Sequence, residues 1–318
     1  MKLSKRHLAL VGLVIFALVL SRIDISRMLG ILSAVNVPLY ALSGALILLL
    51  VILKGLKWKL VLRSMGVSIS LPEAVRLYSI GLFLSNATPG KIGDFAKAWY
   101  LKGRVNLPVG LASVFVDRIM DVALLVLFSS LSALWFIYYY KITLISPVLL
   151  AVIIAIFFAA FLLLVKESYM KALARPVFQM LVPEKHKKGL SELFSEFFSA
   201  VKSVKARPAP IAASVILGAG IWALNAIVFC LIAASISISA PLYGLFAVFP
   251  IVTLTDMLPI SLSGLGTRDA ALIFLLALFS VSAESAVAVS LLVFFIGYLL
   301  TSLVGLFFFS TSKMKIGL

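Results

Sequence analysis

Two short segments, one in each half of the chain, combine backbone-breaking residues with charged side chains. Residues 86–94 read NATPGKIGD and residues 259–269 read PISLSGLGTRD; these segments are called break 1 and break 2. Each interrupts apolar sequence, and each carries a cation and an aspartate. A cation beside the free N–H groups at the start of a helix can bind a phosphate or another anion. The breaks therefore predict an anion-binding site.

Each break supplies its own candidate ligands. In break 1, Lys91 precedes a helix predicted to begin at Asp94, and Lys97 follows on the same face as Asp94. In break 2, Arg268 starts a helix and offers the forked donor geometry that fits a phosphate. We expect no metal and no cofactor at this site. The candidate substrate-binding residues in and beside the breaks are Asn86, Gly90, Lys91, Gly93, Asp94, Lys97, Asp256, Ser261, Gly264, Gly266, Arg268 and Asp269.

A third group of charges lies inside a long apolar segment. Asp117, Arg118 and Asp121 are spaced so that both carboxylates share one helix face, and Arg118 reaches Asp121 three residues on. A charge at the centre of a membrane helix costs about 2.5 to 3.5 kcal/mol, so such residues pair, line water or mark a pathway. The alternative is an ion pair near the cytoplasmic interface, with Arg118 snorkelling to headgroups. The sequence leaves both interpretations open, and these three residues join the candidate site.

Composition identifies the surroundings of these charges. Hydrophobic residues make up 63% of the chain and charged residues 13%, whereas soluble domains carry about 25% charged residues. The chain is therefore expected to be an integral membrane protein. The net charge of +16 is explained by cations beside apolar spans, so we expect no nucleic-acid partner. A single cysteine, Cys230, excludes an internal disulfide, and two histidines are too few for a His-rich metal site.

The apolar pattern predicts an all-α integral membrane protein with six spans plus two re-entrant helical hairpins. About 20 apolar residues are needed to cross a bilayer. The first span follows basic residues as a signal peptide would, but residues 20–24 form a poor cleavage site, so we expect this span to be retained. The predicted spans are residues 7–23, 37–54, 111–137, 143–165, 210–234 and 285–310, and the hairpins are residues 77–104 and 242–279.

The distribution of cations predicts the topology. Cytoplasmic segments carry an excess of Lys and Arg, which places both termini in the cytoplasm of a multi-pass cell-membrane protein. Hairpin 77–104 then enters from the cytoplasm and hairpin 242–279 from outside. In this topology Lys54, Lys57, Lys59 and Arg63, which follow span 2, lie on the cytoplasmic side. Arg22, Arg27 and Lys141 lie on the outside.

This topology makes the second half of the chain an inverted copy of the first. The single membrane domain, residues 1–318, is predicted to contain an inverted-topology repeat of residues 1–140 and 141–318. Such repeats place the substrate site near the bilayer midplane, where the broken segments meet. Within the cytoplasmic loop 166–209, apolar residues recur at helical spacing, which predicts an amphipathic helix at the membrane interface.

Three motifs together resemble the flippase-like membrane domain family named for the transmembrane region of lysylphosphatidylglycerol synthases. They are PGKIGDFAKA at residues 89–98, DRIMD at residues 117–121 and LPISLSGLGTRD at residues 258–269. Family members commonly show Arg where Lys91 and Lys97 stand and Glu where Asp94 stands. The resemblance covers nearly the whole chain and implies movement of a phospholipid or polyprenyl-phosphate-linked lipid between leaflets, without the soluble synthase domain that some relatives carry.

Three functions from different classes fit these features. The first, which we favour, is a flippase or scramblase that binds a phosphate-bearing lipid and performs no covalent catalysis. The second is a membrane-embedded lipid-linked transferase, or the membrane subunit of one, with Asp94, Asp117 or Asp121 as a base. The third is a scaffold that holds lipid without moving it. The expected partners are membrane lipids, anionic or phosphate-bearing; a homo-oligomer or a separate lipid-modifying enzyme stays open.

Overall fold

The computed structural model describes residues 5–101, 103–141, 184–257, 261 and 263–312, and this part of the chain is built from helices. The predicted fourth span, residues 143–165, lies outside the described residues. The helices are α1 (Lys5–Leu20), α2 (Ile25–Ser33), α3 (Val37–Ser64), α4 (Leu71–Asn86), α5 (Ala96–Trp99), α6 (Leu107–Tyr140), α7 (Glu184–Ser203), α8 (Pro208–Ser235), α9 (Leu242–Asp256), α10 (Thr267–Ala277), α11 (Ala283–Val293) and α12 (Thr301–Ser310). Break 1 contains the 3-10 helix Pro89–Phe95, a second 3-10 turn covers Val204–Ala206, and the π-helical segment Phe294–Leu300 joins α11 to α12.

Four helical stretches of the described residues are long and apolar enough to cross a membrane. They are Val37–Ser64, Leu107–Tyr140, Pro208–Ser235 and Ala283–Ser310, the last of which combines α11, the π-helical segment and α12. Shorter apolar stretches lie in α1 and α9. The described part of the chain is therefore all-helical, and the protein is a multi-pass membrane protein, as the apolar pattern predicted.

Helix starts follow from local sequence. The Asn36 side chain accepts a hydrogen bond from the backbone N–H of Leu39 at 3.1 Å, and the Ser70 side chain accepts one from Glu73 at 3.3 Å. Such caps satisfy N–H groups that have no partner within the helix. Proline stands in the first turn of α3, α4, α6 and α8, where its missing N–H removes no intrahelical bond.

The second span is longer than the sequence predicted, and this changes the position of its cations. Helix α3 continues for ten residues beyond the predicted end of the span at residue 54. Lys57, predicted to follow the span, lies within helix α3 and is buried, with 1% of its side chain exposed. Its helix can continue through the fold because two carboxylates of α6, Asp117 and Asp121, pair with its ammonium group.

The two halves of the chain pack against each other through their helices. Helix α3 packs along α8. The aromatic rings of Phe115 on α6 and Phe197 on α7 lie 5.4 Å apart. Helix α7 lies in the loop 166–209, where the sequence predicted an amphipathic helix. Helix α4 packs against α3 and α12, while α9 packs against α8 and α6. These contacts bring breaks 1 and 2 into the same region of the fold.

The two breaks have different backbones. In break 1, the helix expected to begin at Asp94 begins at Ala96, because Asp94 belongs to the 3-10 helix that precedes it. A Cβ added at Gly93 would lie only 2.1 Å from the carbonyl oxygen of Leu84, so glycine permits the close return of the chain. In break 2, Gly264 and Gly266 have φ values of +78° and +84°, which favour glycine.

Candidate functional site

A cavity of about 210 Å³ lies where the two breaks meet. Its wall is contributed by α3, α4, α6, α8, α9 and the span Ala283–Ser310, together with residues of both breaks. Six of the predicted site residues line it: Asn86, Lys91, Arg118, Asp121, Asp256 and Arg268. The structure therefore brings the ends of both breaks and the DRIMD cluster to one place.

The breaks contact each other directly. The Ser263 hydroxyl of break 2 donates a hydrogen bond to the backbone oxygen of Asn86 in break 1, at 3.0 Å. The Asn86 amide in turn donates to Ser302 Oγ at 3.0 Å and to the backbone oxygen of Tyr298 at 3.4 Å. Tyr298 lies in the π-helical segment, a kind of distortion that is frequent at functional sites.

Tyr298 connects the charged residues of the two breaks. Its ring lies 5.2 Å from the Arg268 guanidinium carbon and 5.8 Å from Lys91 Nζ, distances at which a ring face attracts a cation. Its hydroxyl donates a hydrogen bond to Asp256 Oδ2 at 2.8 Å. Sequence reasoning missed Tyr298, since a tyrosine in an apolar membrane helix carries no signal by itself.

Arg268 is held in place but keeps one donor free. Its side chain is buried, Nε donates to Ser290 Oγ at 2.9 Å, and Nη1 donates to the backbone oxygen of Ser263 at 3.2 Å. Nη1 also lies 3.8 Å from Asp256 Oδ2. Nη2 is buried and has no hydrogen-bond partner among the described residues. A buried guanidinium donor without a partner, on a side chain lining a cavity, indicates room for an anionic acceptor.

The other predicted residues of break 2 build the loop and do not line the cavity. Asp269 Oδ2 accepts a hydrogen bond from the backbone N–H of Gly266 at 2.7 Å, which caps the start of α10. The Ser261 and Thr267 hydroxyl groups lie 2.8 Å apart within the loop. A Cβ at Gly264 would lie 2.2 Å from Asp256 Oδ1, so the carboxylate packs directly on the glycine backbone. These residues position Arg268 and Asp256.

Lys97 corrects the sequence interpretation of break 1. It was expected to bind an anion, but its side chain is fully buried and its ammonium lies 3.0 Å from Asp94 and 3.1 Å from Asp117. The same ammonium sits 4.4 Å from the centre of the Tyr78 ring. The predicted shared face of Asp94 and Lys97 is confirmed, and the pair fastens break 1 to α6. Of Lys91 and Lys97, only Lys91 lines the cavity. Gly90 lies within the 3-10 helix Pro89–Phe95.

The DRIMD cluster also pairs differently from the prediction. Arg118 Nε donates to Asp94 Oδ2 at 2.7 Å, whereas the sequence paired Arg118 with Asp121. Asp121 instead accepts a hydrogen bond from Lys57 Nζ. Lys57 also lies 3.0 Å from Asp117. The partners come from other elements, so the spacing within one helix does not predict them.

The pairs form one alternating chain of six charges whose two ends open to the cavity. In order of contact the chain is Asp121, Lys57, Asp117, Lys97, Asp94 and Arg118. The end members are partly exposed, at 24% for Asp121 and 25% for Arg118, while the four inner members are buried. Pairing of this kind is what permits charges at membrane depth.

One cavity cation, Lys54, and the buried Lys57 of the alternating charge chain were not among the predicted site residues. Lys54 lines the cavity, and Lys57 lies one turn further along α3. Their spacing by three residues at the end of an apolar run was a usable signal, since it places both on one helix face. Within the described ranges, no group of three or more His, Cys, Asp or Glu residues is arranged to hold a metal ion.

Comparison with known proteins supports the membrane assignment and gives a family. The family model described as the lysylphosphatidylglycerol synthase TM region matches residues 7–305. This chain belongs to that family. Family membership suggests a role connected with membrane lipids. No solved structure matches the chain.

The similar curated proteins are archaeal membrane proteins of the family designated UPF0104. One from Methanocaldococcus jannaschii is 24% identical over 317 residues, covering 96% of this chain and 94% of the relative. One from Methanothermobacter thermautotrophicus is 24% identical over 288 residues, covering 84% of this chain and 81% of the relative. One from Pyrococcus horikoshii is 24% identical over 219 residues, covering 64% of each chain.

Proposed function

We propose that this protein moves a phosphate-bearing lipid, a phospholipid or a polyprenyl-phosphate-linked lipid, between the two leaflets of the membrane. The observation that carries the proposal is the meeting of both breaks at one cavity. Ser263 contacts Asn86 there, and the same space is lined by Lys91 and by Arg268, whose buried Nη2 has no hydrogen-bond partner among the described residues. Discontinuous helices that meet within a membrane are typical of transporter binding sites.

The rest of the cavity wall supports a lipid rather than a small inorganic anion. Apolar side chains surround the charged end, among them Leu50 on α3, Ile221 and Phe229 on α8 and Phe249 on α9. A site that joins charged donors to an apolar wall fits a molecule with a charged head and a hydrocarbon chain. Arg268 and Lys91 are the proposed headgroup ligands, and the alternating charge chain holds break 1 in position.

The helix contacts support the proposed inverted repeat with six spans and two hairpins. If the halves are exchanged, α3 corresponds to α8, and α6 corresponds to the span Ala283–Ser310. Helix α4 of the first hairpin packs against α3 and α12, and helix α9 of the second packs against the corresponding α8 and α6. The return segments follow the same rule, since α5 packs against α6 and α10 packs against α11. This equivalence is the pattern that two related halves produce.

The proposed topology places both termini in the cytoplasm of a cell-membrane protein. Hairpin 1 then enters from the cytoplasm and hairpin 2 from outside, so that the breaks meet near the midplane. The proposed activity moves the lipid without changing its covalent structure.

Transport of a fluorescent lipid in reconstituted liposomes tests the proposal. A membrane-impermeant reductant quenches only lipids in the outer leaflet, so protein-mediated exchange increases the quenched fraction. We expect Arg268→Ala to abolish exchange and Arg268→Lys to retain part of it, because lysine keeps the charge but loses the forked donor geometry. Lys91→Ala should act in the same direction.

The matched control is Arg76→Ala, which removes an exposed arginine of α4 outside the cavity. It should transport at the wild-type rate, and thermal unfolding should show that all variants are folded. Wild-type exchange in folded Arg268→Ala protein would contradict the proposal. A covalent change in the labelled headgroup would instead favour the transferase interpretation.

A further inference from the structure

One pair of opposite charges at the cavity is close but not joined. Arg268 Nη1 lies 3.8 Å from Asp256 Oδ2, and the two side chains are 2% and 6% exposed. Hydrogen bonds between such groups normally measure about 2.7 to 2.9 Å, so an approach of about 1 Å would close the pair. In the alternating charge chain, by contrast, Arg118 lies 2.7 Å from Asp94. The fold thus pairs buried charges directly elsewhere and stops short of doing so here.

Neutral groups hold these two charged side chains apart. Asp256 Oδ2 accepts a hydrogen bond from the Tyr298 hydroxyl at 2.8 Å. Arg268 donates to the Ser290 hydroxyl at 2.9 Å and to the backbone oxygen of Ser263 at 3.2 Å. Tyr298 and Arg268 therefore compete for the same oxygen of Asp256, and in the structure Tyr298 holds it.

The incomplete pairing leaves hydrogen-bonding capacity unused on both charged side chains. Arg268 Nη2 and Asp256 Oδ1 are buried and have no hydrogen-bond partner among the described residues. A buried charged group without a partner is unfavourable, so the free guanidinium donor gains from any acceptor that reaches it. Both residues line the cavity. Two acceptors can therefore satisfy Arg268: the Asp256 carboxylate and an anion that enters the cavity.

The two acceptors are chemically equivalent to the guanidinium. A carboxylate and a phosphate each present a pair of oxygens to the donor fork of an arginine. Exchange of one for the other keeps Arg268 paired with an anion throughout, so neither state leaves the guanidinium without compensation.

We propose that Asp256 is an internal competitor for the phosphate of the substrate headgroup, and that Tyr298 is the positioning residue that holds Asp256 away from Arg268. While Tyr298 holds the carboxylate, the donor fork is open to a phosphate. When the carboxylate closes on Arg268, it replaces the phosphate and releases the headgroup. A transported species must bind weakly enough to leave its site. This inference rests on the proposed function and adds to it the way in which the headgroup is released.

The first test removes the competing charge. Asp256→Asn keeps the shape of the side chain but cannot form an ion pair with Arg268. We expect this variant to bind a phosphate-bearing lipid about tenfold more tightly, the factor that corresponds to one hydrogen bond to a charged group. We also expect it to exchange the lipid between leaflets more slowly, because release of the headgroup is impaired.

The second test removes the group that holds the competitor. Tyr298→Phe keeps the ring beside the Arg268 guanidinium and loses only the hydroxyl. Asp256 then closes on Arg268, and we expect binding to weaken by about tenfold. The double variant Tyr298→Phe/Asp256→Asn should bind at least as tightly as the wild type, because the competitor has lost its charge. A purely structural role for both residues predicts weaker binding in each single variant and the weakest binding in the double variant.

Binding is measured on detergent-solubilised protein, separately from transport. Wild type and variants are heated with phosphatidylglycerol, a polyprenyl phosphate or inorganic phosphate, since a ligand of the folded state raises the melting temperature according to its affinity. Tyr243→Phe is the matched control, because it removes the hydroxyl of an exposed tyrosine on α9 outside the cavity wall. It should bind as the wild type does.

Each outcome decides a defined claim. Weaker binding in folded Asp256→Asn, or unchanged binding in Tyr298→Phe, would overturn the inference, as would the absence of a shift with every probe in both the wild type and Asp256→Asn. If Asp256→Asn does not fold, Tyr298→Phe decides alone. Opposite changes of affinity in the two variants without leaflet exchange by the wild type would leave the inference standing and refute the proposed transport. The same opposite changes with inorganic phosphate only would assign the site to a free anion and refute the lipid.

Discussion

At the scale of single residues, the charged candidate residues fall into two groups: those that line the cavity and those that pair only with other protein groups. Arg268 and Lys91 face the cavity and keep donors that the described protein groups do not use fully. Lys97 and Asp117 are enclosed and bind only protein groups. The first group has the properties of ligand-binding residues, and the second has those of residues that hold the elements together.

The DRIMD cluster gives a residue-scale prediction that separates these roles. Asp117 is enclosed between Lys57 and Lys97, so Asp117→Ala should lower the free energy of unfolding by about 3 to 5 kcal/mol. Asp121 is partly exposed to the cavity, so Asp121→Asn should cost less stability but slow lipid exchange. Thermal unfolding and liposome exchange are measured on the same preparations.

Comparison of the two measurements decides the outcome. Loss of stability in Asp121→Asn as large as that in Asp117→Ala, with activity falling only in proportion to the folded fraction, would assign Asp121 a structural role as well. Normal stability of Asp117→Ala would show that the enclosed lysines find other compensation.

The sequence was sufficient to mark charged residues of the candidate site, but not to predict the side chains with which they pair. The types and positions of Asp94, Asp117 and Arg268 were enough to mark them, because charges in apolar segments are rare. The pairing of Arg118 with Asp94 and of Lys57 with Asp121 was not predictable, since the partners lie on different elements. Tyr298 had no sequence signal, because its importance comes from the two cations that surround its ring.

At the scale of elements, the length of each apolar run predicted where a membrane-spanning helix lies. The position of charged residues was a poorer guide to where α3 ends. The predicted spans 111–137, 210–234 and 285–310 lie within the helical stretches Leu107–Tyr140, Pro208–Ser235 and Ala283–Ser310. Helix α3 exceeds its prediction because Lys57 is paired inside the fold and does not mark a helix end. The return segment of break 1 is a 3-10 helix, since glycine and proline disfavour a regular α-helix there.

The opposite entry of the two hairpins is an element-scale prediction that single cysteines can test. In a Cys230→Ala background, Lys141→Cys and Ser239→Cys should react with a membrane-impermeant thiol reagent applied to intact cells. Arg104→Cys and Lys205→Cys should react only after the membrane is opened. All four side chains are exposed at their present positions, so accessibility reports the side of the membrane.

The labelling of Arg104→Cys compared with that of Lys205→Cys tests the proposed number of spans most sharply. The proposed topology places two spans between them and therefore puts both in the cytoplasm. Labelling of these two positions from opposite faces would show that the number of crossings is odd, and the second half could then not be an inverted copy of the first.

At the scale of the whole molecule, the two halves of the chain meet at a charged cavity in an apolar surrounding. Each half contributes one break. Ser263 of break 2 contacts Asn86 of break 1. Asn86 also contacts Tyr298, whose hydroxyl contacts Asp256 at the end of α9. If this junction is the path of the lipid headgroup, the contact between the breaks must open during transport. Alternating exposure of a central site is the general behaviour of transporters built from inverted repeats.

A reversible cross-link between the breaks tests this central claim most directly. Asn86→Cys and Ser263→Cys are combined in the Cys230→Ala background, since the Ser263 hydroxyl lies 3.0 Å from the backbone oxygen of Asn86. Each single variant is the control for loss of the native side chain, and the reduced double variant is the control for the cross-link. We expect the oxidised protein to form an intramolecular disulfide and to stop lipid exchange, and reduction to restore it. Exchange by the oxidised protein at the rate of the reduced protein would contradict the account.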